Sequence, residues 1–190
     1  MNLQLIDQQS FKNEYFTSLL LPKAEYTDCT FTHCTFENSD ISNINFIECN
    51  FIDCNFSNVN VVHTSFNDVS FTDCKLLGVL FQYCNPFLLS FKFVNCILNF
   101  SSFYQLKINH TQFLNCKLQQ VDFTEAEAKH VLFKDCDLNG STFERTNMQH
   151  ADFTSAIHLN INPSTNQLKN ATFSTENISG LLKCFKIKIK

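Results

Sequence analysis

The chain has 190 residues, 44% of them hydrophobic, and a formal net charge of −4. That length fits one domain with a buried core, the acid excess argues against direct nucleic-acid binding, and no stretch is apolar for long enough to span a membrane. The opening residues lack a basic flank before an apolar run, so no signal peptide is expected. The chain is placed in the cytoplasm, where its 10 cysteines would be free thiols.

With 22 Phe, 3 Gly and 3 Pro, the sequence uses few of the usual turn residues, which points to one motif used many times. In chain order, Leu3, Leu5, Phe11, Phe16 and Leu21 predict a ragged first coil or N-terminal cap over residues 1–25. Large apolar residues then recur every five positions, at Phe31, Phe36, Ile41, Phe46, Phe51, Phe56, Val61, Phe66, Phe71, Leu76 and Phe81. The rhythm slips by two residues near 82–92 and resumes at Phe93, Leu98, Phe103 and onward to Phe153. Two places before each centre sits a smaller residue, such as Cys29, Cys34, Ser39, Cys49, Cys54 or Thr64, and one place before is often Asn, Asp or Thr. A period of five is neither that of a helix nor that of a plain strand. A period of 20 lies over it: Phe31-Thr-His-Cys34-Thr-Phe36 returns at Phe51, Phe71, Phe93, Phe113 and Phe133.

This pattern resembles the pentapeptide-repeat family from about Phe11 to Phe153. The resemblance implies an all-β fold: a right-handed quadrilateral parallel β-helix whose solenoid spans 26–158. Four pentapeptides make one coil, each side giving one large and one small inward residue, and Asn and Asp at the corners bond to turn backbone. The slip, around Gln82–Leu88, predicts a bulge or small loop at a corner. Residues 159–190 predict a short C-terminal helix/strand cap: a coil fragment at Leu168, Phe173 and Ile178, a helix capped by Ser174, and a terminal strand from Phe185. In this family the C-terminal segment often dimerises, which makes Leu181, Leu182, Phe185 and Ile187 candidate dimer residues.

No catalytic constellation or Gly-rich phosphate loop is suggested by spacing, so neither an enzyme nor a cofactor is expected. The six histidines read as scattered over outward slots. The cysteine column at 34, 54, 74, 96, 116 and 136 is the competing signal, for a thiol-based redox or metal-binding protein. Parallel side chains in a ladder close no tetrahedron and point away from disulfide geometry, whereas small buried thiols pack well. Charge is banded: from Tyr26 to Cys74 there are seven acids and no Lys or Arg, while five Lys and one acid follow Leu159. Some relatives shield DNA gyrase and topoisomerase IV from quinolones as acidic rods that mimic a duplex. The resemblance therefore implies a protein partner of that kind, with Glu37, Asp40, Glu48, Asp53 and Asp68 as candidate contacts, or else a scaffold for another cytoplasmic protein. Large projecting loops found in several such relatives have no clear match here.

Overall fold

A computed structural model describes residues 3–17 and 20–188. Two strands occur in each early coil: β1 (Gln4–Asp7) and β2 (Ser10–Lys12), β3 (Ala24–Thr27) and β4 (Thr30–Thr32), β5 (Asn45–Ile47) and β6 (Asn50–Ile52), β7 (Ser65–Asn67) and β8 (Val69–Thr72). β9 (Phe91–Val94), β10 (Gln112–Leu114) and β11 (Leu132–Lys134) continue one of the two sheets. All pairings are parallel, in the orders β1-β3-β5-β7 and β2-β4-β6-β8-β9-β10-β11. Phe11 lies over Phe31, Phe31 over Phe51 and Phe51 over Phe71. The other two sides are joined by single bridges at the same interval, such as Thr35 to Asn55 and Asp40 to Asn60. The result is a four-sided right-handed solenoid, the sense that parallel crossovers of L-residues adopt.

We number the faces by their inward centres: the first carries Phe31, the second Phe36, the third Ile41 and the fourth Phe46. All four side chains are fully buried. On the first face the rings stack with centroids 4.8 Å apart from Phe31 to Phe51, 5.1 Å from Phe93 to Phe113 and 5.2 Å from Phe153 to Phe173. Rings on neighbouring faces meet edge to face, as Phe51 and Phe56 do at 5.0 Å and 89°. Stacking along the axis and edge contacts across it are both favourable arrangements of aromatic quadrupoles.

Nearly every corner turns on a residue with positive φ, two places after the inward centre: His33 (54°), Asn38 (55°), Asn43 (58°) and Glu48 (54°) within one coil. That left-handed conformation is the one for which Asn, Asp and His are enriched among non-glycine residues. Corner amides also bond between coils, as His33 N–H donates to the Ile52 carbonyl at 3.0 Å. Just before the centre, Asp and Asn accept from the amide two residues on: Asp40 from Ser42 at 2.9 Å, Asp122 from Thr124 at 2.9 Å and Asp152 from Thr154 at 2.8 Å.

Nine cysteines fill the small inward slots and are buried; Cys184 is exposed, and all ten are free thiols. Each buried thiol of the column donates to a carbonyl of the coil before it, as Cys74 does to Phe51 and Cys136 to Phe113 (3.4 and 3.3 Å). Thr64 and Thr146 make the same bond to Ile41 and Phe123, both at 2.8 Å. In these slots the small Cys or Thr side chain also satisfies a buried carbonyl, whereas Val121, Ala126 and Val131 fill theirs by packing alone. Burial pushes the Cys49 and Cys84 thiols up to about 12.

The two-residue insertion is absorbed at one corner. Asn85 still sits over Ser65, but the next amide to return is Ser90, which donates to the Phe66 carbonyl at 3.0 Å. Phe87 and Leu88 are pushed outward, 72% and 60% exposed. Phe91, in a small-residue slot, turns inward and fills the space, its ring 5.4 Å from Phe66 and 5.2 Å from Phe81.

At the ends, several sequence expectations are corrected. Leu5 points outward and Ile6 packs on the core instead. Leu168 and Phe173 pack as expected, but Ile178 is exposed and belongs to a 3-10 turn, Ile178–Leu181, followed by another, Lys183–Phe185. The Ser174 side chain does not cap this segment; Asn177 precedes the first turn and accepts from Ser174 N–H at 3.0 Å. Residues 185–188 form no strand, and the rest of that expected strand, 189–190, lies outside the described residues. The turns cover the last coil by satisfying its open carbonyls: Asn177 donates to Ala156 at 3.0 Å and Lys183 Nζ to Leu159 at 2.8 Å. Gly180 is needed at the closest approach, where a Cβ would lie 2.6 Å from the Leu159 carbonyl oxygen.

Replacing Phe113 by Ala opens a cavity in the middle of a ring column. It should cost about 3–5 kcal/mol in denaturant unfolding; a change below about 1 kcal/mol would contradict the stacked-column account. Thiol labelling at neutral pH should modify Cys184 alone in the native protein and all ten cysteines after denaturation. Rapid native labelling of the buried column would contradict it.

Candidate interaction surface

Three of every five residues face outward, so the surface consists of columns with one residue per coil, spaced like parallel strands about 4.8 Å apart. The side chains within a column interact from rung to rung. Between the first and second faces, His33 Nδ1 lies 2.7 Å from Asp53, and Asn95 and Asn115 link to Asp73 and to each other at 2.9 Å. Between the third and fourth faces, Glu125 receives hydrogen bonds from Gln105 at 2.6 Å and from Arg145 Nε at 2.9 Å, which hold its carboxyl below the usual range.

The five acids selected from the sequence do not share a face. Glu37 lies at the corner between the second and third faces and accepts from Asn55 at 3.1 Å. Asp40 is on the third face; hydrogen bonds from Ser42, with Lys23 3.9 Å away, hold its carboxyl below the usual range. Asp53 is paired with His33, as above. Only Glu48 and Asp68 fall in one column, at the corner between the fourth and first faces, and Asp28 extends it by one coil. All three are exposed at positive φ, and among the described residues none of them makes an ion pair.

The same corner column holds what the sequence reading missed. Beyond the bulge it continues as His110, His130 and His150, so these three histidines are not scattered but aligned at 20-residue intervals. Their rings stack at 4.9 Å and 4.6 Å, within 3° and 9° of parallel. Desolvation, then the neighbouring His150, His110 and Lys129, hold the His130 imidazole below its ordinary pKa. The 20-residue spacing was the available signal.

At the C-terminal end, Leu181 packs against the core and Leu182 is half-buried, both within the cap, while Phe185 and Ile187 remain 54% and 58% exposed. Among the described residues no group of three or more His, Cys, Asp or Glu is placed to hold a metal ion, and no helix is long and apolar enough to cross a membrane.

Comparison with solved structures finds two trypsin-treated forms of QnrB1, a plasmid-mediated fluoroquinolone resistance protein. One is similar at a TM-score of 0.74 and 15% identity, covering 98% of this chain and 92% of that one. The other has a TM-score of 0.54 at 17% identity, covering 99% and 98%. At such identities the likeness is one of fold. No curated protein matches the sequence. The sequence model of the pentapeptide repeat region matches residues 24–86, 87–155 and 111–181, most of the molecule. With its inward ladders and four-sided coil, the chain belongs to the pentapeptide-repeat family.

Proposed function

We propose that this protein is a non-catalytic binding module of the cytoplasm that engages a type II topoisomerase, DNA gyrase or topoisomerase IV, through an acidic surface standing in for duplex phosphate. The observation that carries the reading is the column Asp28, Glu48 and Asp68, one unpaired carboxylate per coil along a straight edge. A regular line of exposed charge attracts a basic DNA-binding groove over several ångströms and is screened by salt. The likeness of fold to QnrB1, which is described as a fluoroquinolone resistance protein, supports this choice of partner. Glu37, Asp40 and Asp53 extend the acidic half around the rod, with Asp40 near Lys23 and Asp53 bonded to the His33 ring. The exposed Phe185 and Ile187, set on the cap that holds Leu181 and Leu182, would join two rods end to end and lengthen the charged span.

The test is gyrase supercoiling in the presence of a fluoroquinolone. The wild-type protein should restore supercoiling, and the effect should fade as salt rises. Reversing Glu37, Asp40, Glu48, Asp53 and Asp68 to Lys should abolish the effect while the circular dichroism spectrum stays unchanged, because these side chains lie outside the core. Full protection by the reversed protein would refute the charge-based reading.

A further inference from the structure

The corner between the fourth and first faces is polarised along the rod. Its N-terminal half presents Asp28, Glu48 and Asp68; its C-terminal half presents His110, His130 and His150; Ser90, in the register set by Val69 over Phe91 and Lys92 over Gln112, lies at the midpoint. The fourth face beside it follows the same division. Glu25 lies on the acidic half, and Lys107, Lys129 and Lys169 on the other, where Glu127 sits 3.5 Å from Lys129. On the first-face side the neighbours are Thr30, Asn50 and Ser70, then Lys92, Gln112, Leu132 and Asp152. The outward bulge turns Phe87 and Leu88, 72% and 60% exposed, to one side of the Ser90 rung, where they line a shallow groove on the fourth face with Glu25, Asn45 and Ser65.

Such an edge is complementary to itself when reversed. A two-fold axis through Ser90, perpendicular to the rod, brings Asp68 of one copy to His110 of another, Glu48 to His130 and Asp28 to His150. The match holds because every rung is one coil, and the three acids and three histidines lie one, two and three coils from the centre. The contact is isologous, the same line of charged rungs being used by both copies.

We propose that the protein forms an antiparallel side-by-side dimer along this edge, with the carboxylates of each copy facing the histidines of the other. The dimer is distinct from end-to-end association through Phe185 and Ile187, and it stands whether or not a topoisomerase is the partner. Stacked imidazoles one coil apart repel when protonated, and the lysines at their side add to that repulsion. A facing row of carboxylates offsets both. The histidines therefore bind protons more tightly in the dimer than in the monomer. By linkage, the dimer is favoured below the monomer's histidine pKa and lost as pH rises through the higher dimer value. Because the contact covers Asp28, Glu48 and Asp68, it would also mask them from any basic partner.

Sedimentation velocity at low salt tests this, on full-length protein carrying Phe185→Ser and Ile187→Ser so that end contacts do not contribute. Association should be about tenfold or more tighter at pH 6 than at pH 8, and should weaken in about 0.5 M salt at the same pH values. A variant with His110→Asp, His130→Asp and His150→Asp should be monomeric, and so should one with Asp28→Lys, Glu48→Lys and Asp68→Lys. Mixed together, the two should form a heterodimer, because one presents acids where the other presents bases; this also shows that both are folded. Equal association at pH 6 and pH 8, or no association in the mixture, would overturn the assignment. Neither measurement contains a topoisomerase, so its outcome is separate from that of the supercoiling assay.

Discussion

Each coil is bound to the next by backbone hydrogen bonds at an interval of 20 residues, and the other features of the molecule depend on that register. It places ring on ring in four inward columns, thiol under carbonyl in the small slots, and like side chains over one another outside. A slip of one residue would exchange inward and outward side chains throughout a coil. The only change of interval within the described ladders is by two, at Val69 over Phe91, and the pattern resumes because the two extra residues are looped out at the corner between Asn85 and Phe91. Even so, the inserted corner loses its own inward centre, and a ring from the next corner replaces it. The core tolerates a change in where a side chain comes from, provided that its volume is supplied.

Core positions were legible from the sequence because they are set by local spacing. A large residue every five and a small one two before it specify which side chains point in, and Phe31, Cys54 and Phe113 needed no further information. The ends were less legible because their partners are not in sequence register. Leu5 and Ile6 are equally apolar, and only pairing with Glu25 and Tyr26 decides which of them faces inward. Ser174 is a good helix cap by type, yet the tail is held by Asn177 reaching the carbonyls of Phe153 and Ala156, a contact of tertiary origin. Phe91 was unreadable for a related reason: a large residue in a small slot makes sense only once Pro86, Phe87 and Leu88 are seen to leave the core.

The surface was legible in composition but not in pattern. Acids counted along the chain gave five candidates, and folding distributes them over three corners and a face. The alignment of His110, His130 and His150 was present as simple arithmetic but is meaningful only when corners are treated as columns. Because outward side chains contribute little to the core, each column can vary independently of the fold. A scaffold at 15% identity to QnrB1 can therefore keep the same coil while presenting different charges. Cysteine and threonine interchange in the small slots for a comparable reason, since each supplies one modest donor to the corresponding carbonyl of the coil before it.

The coil-to-coil ladder also gives the rod a mechanical character. Pulled by one end, it presents its hydrogen bonds one coil at a time, so that bonds open in sequence, as in a zipper, and are not loaded together in shear. Each released coil of 20 residues adds roughly 66–72 Å of slack chain. The coil that contains the bulge is longer by two residues and adds correspondingly more. Under tension the molecule would extend as a near-uniform staircase with one taller step, which marks the middle of the rod.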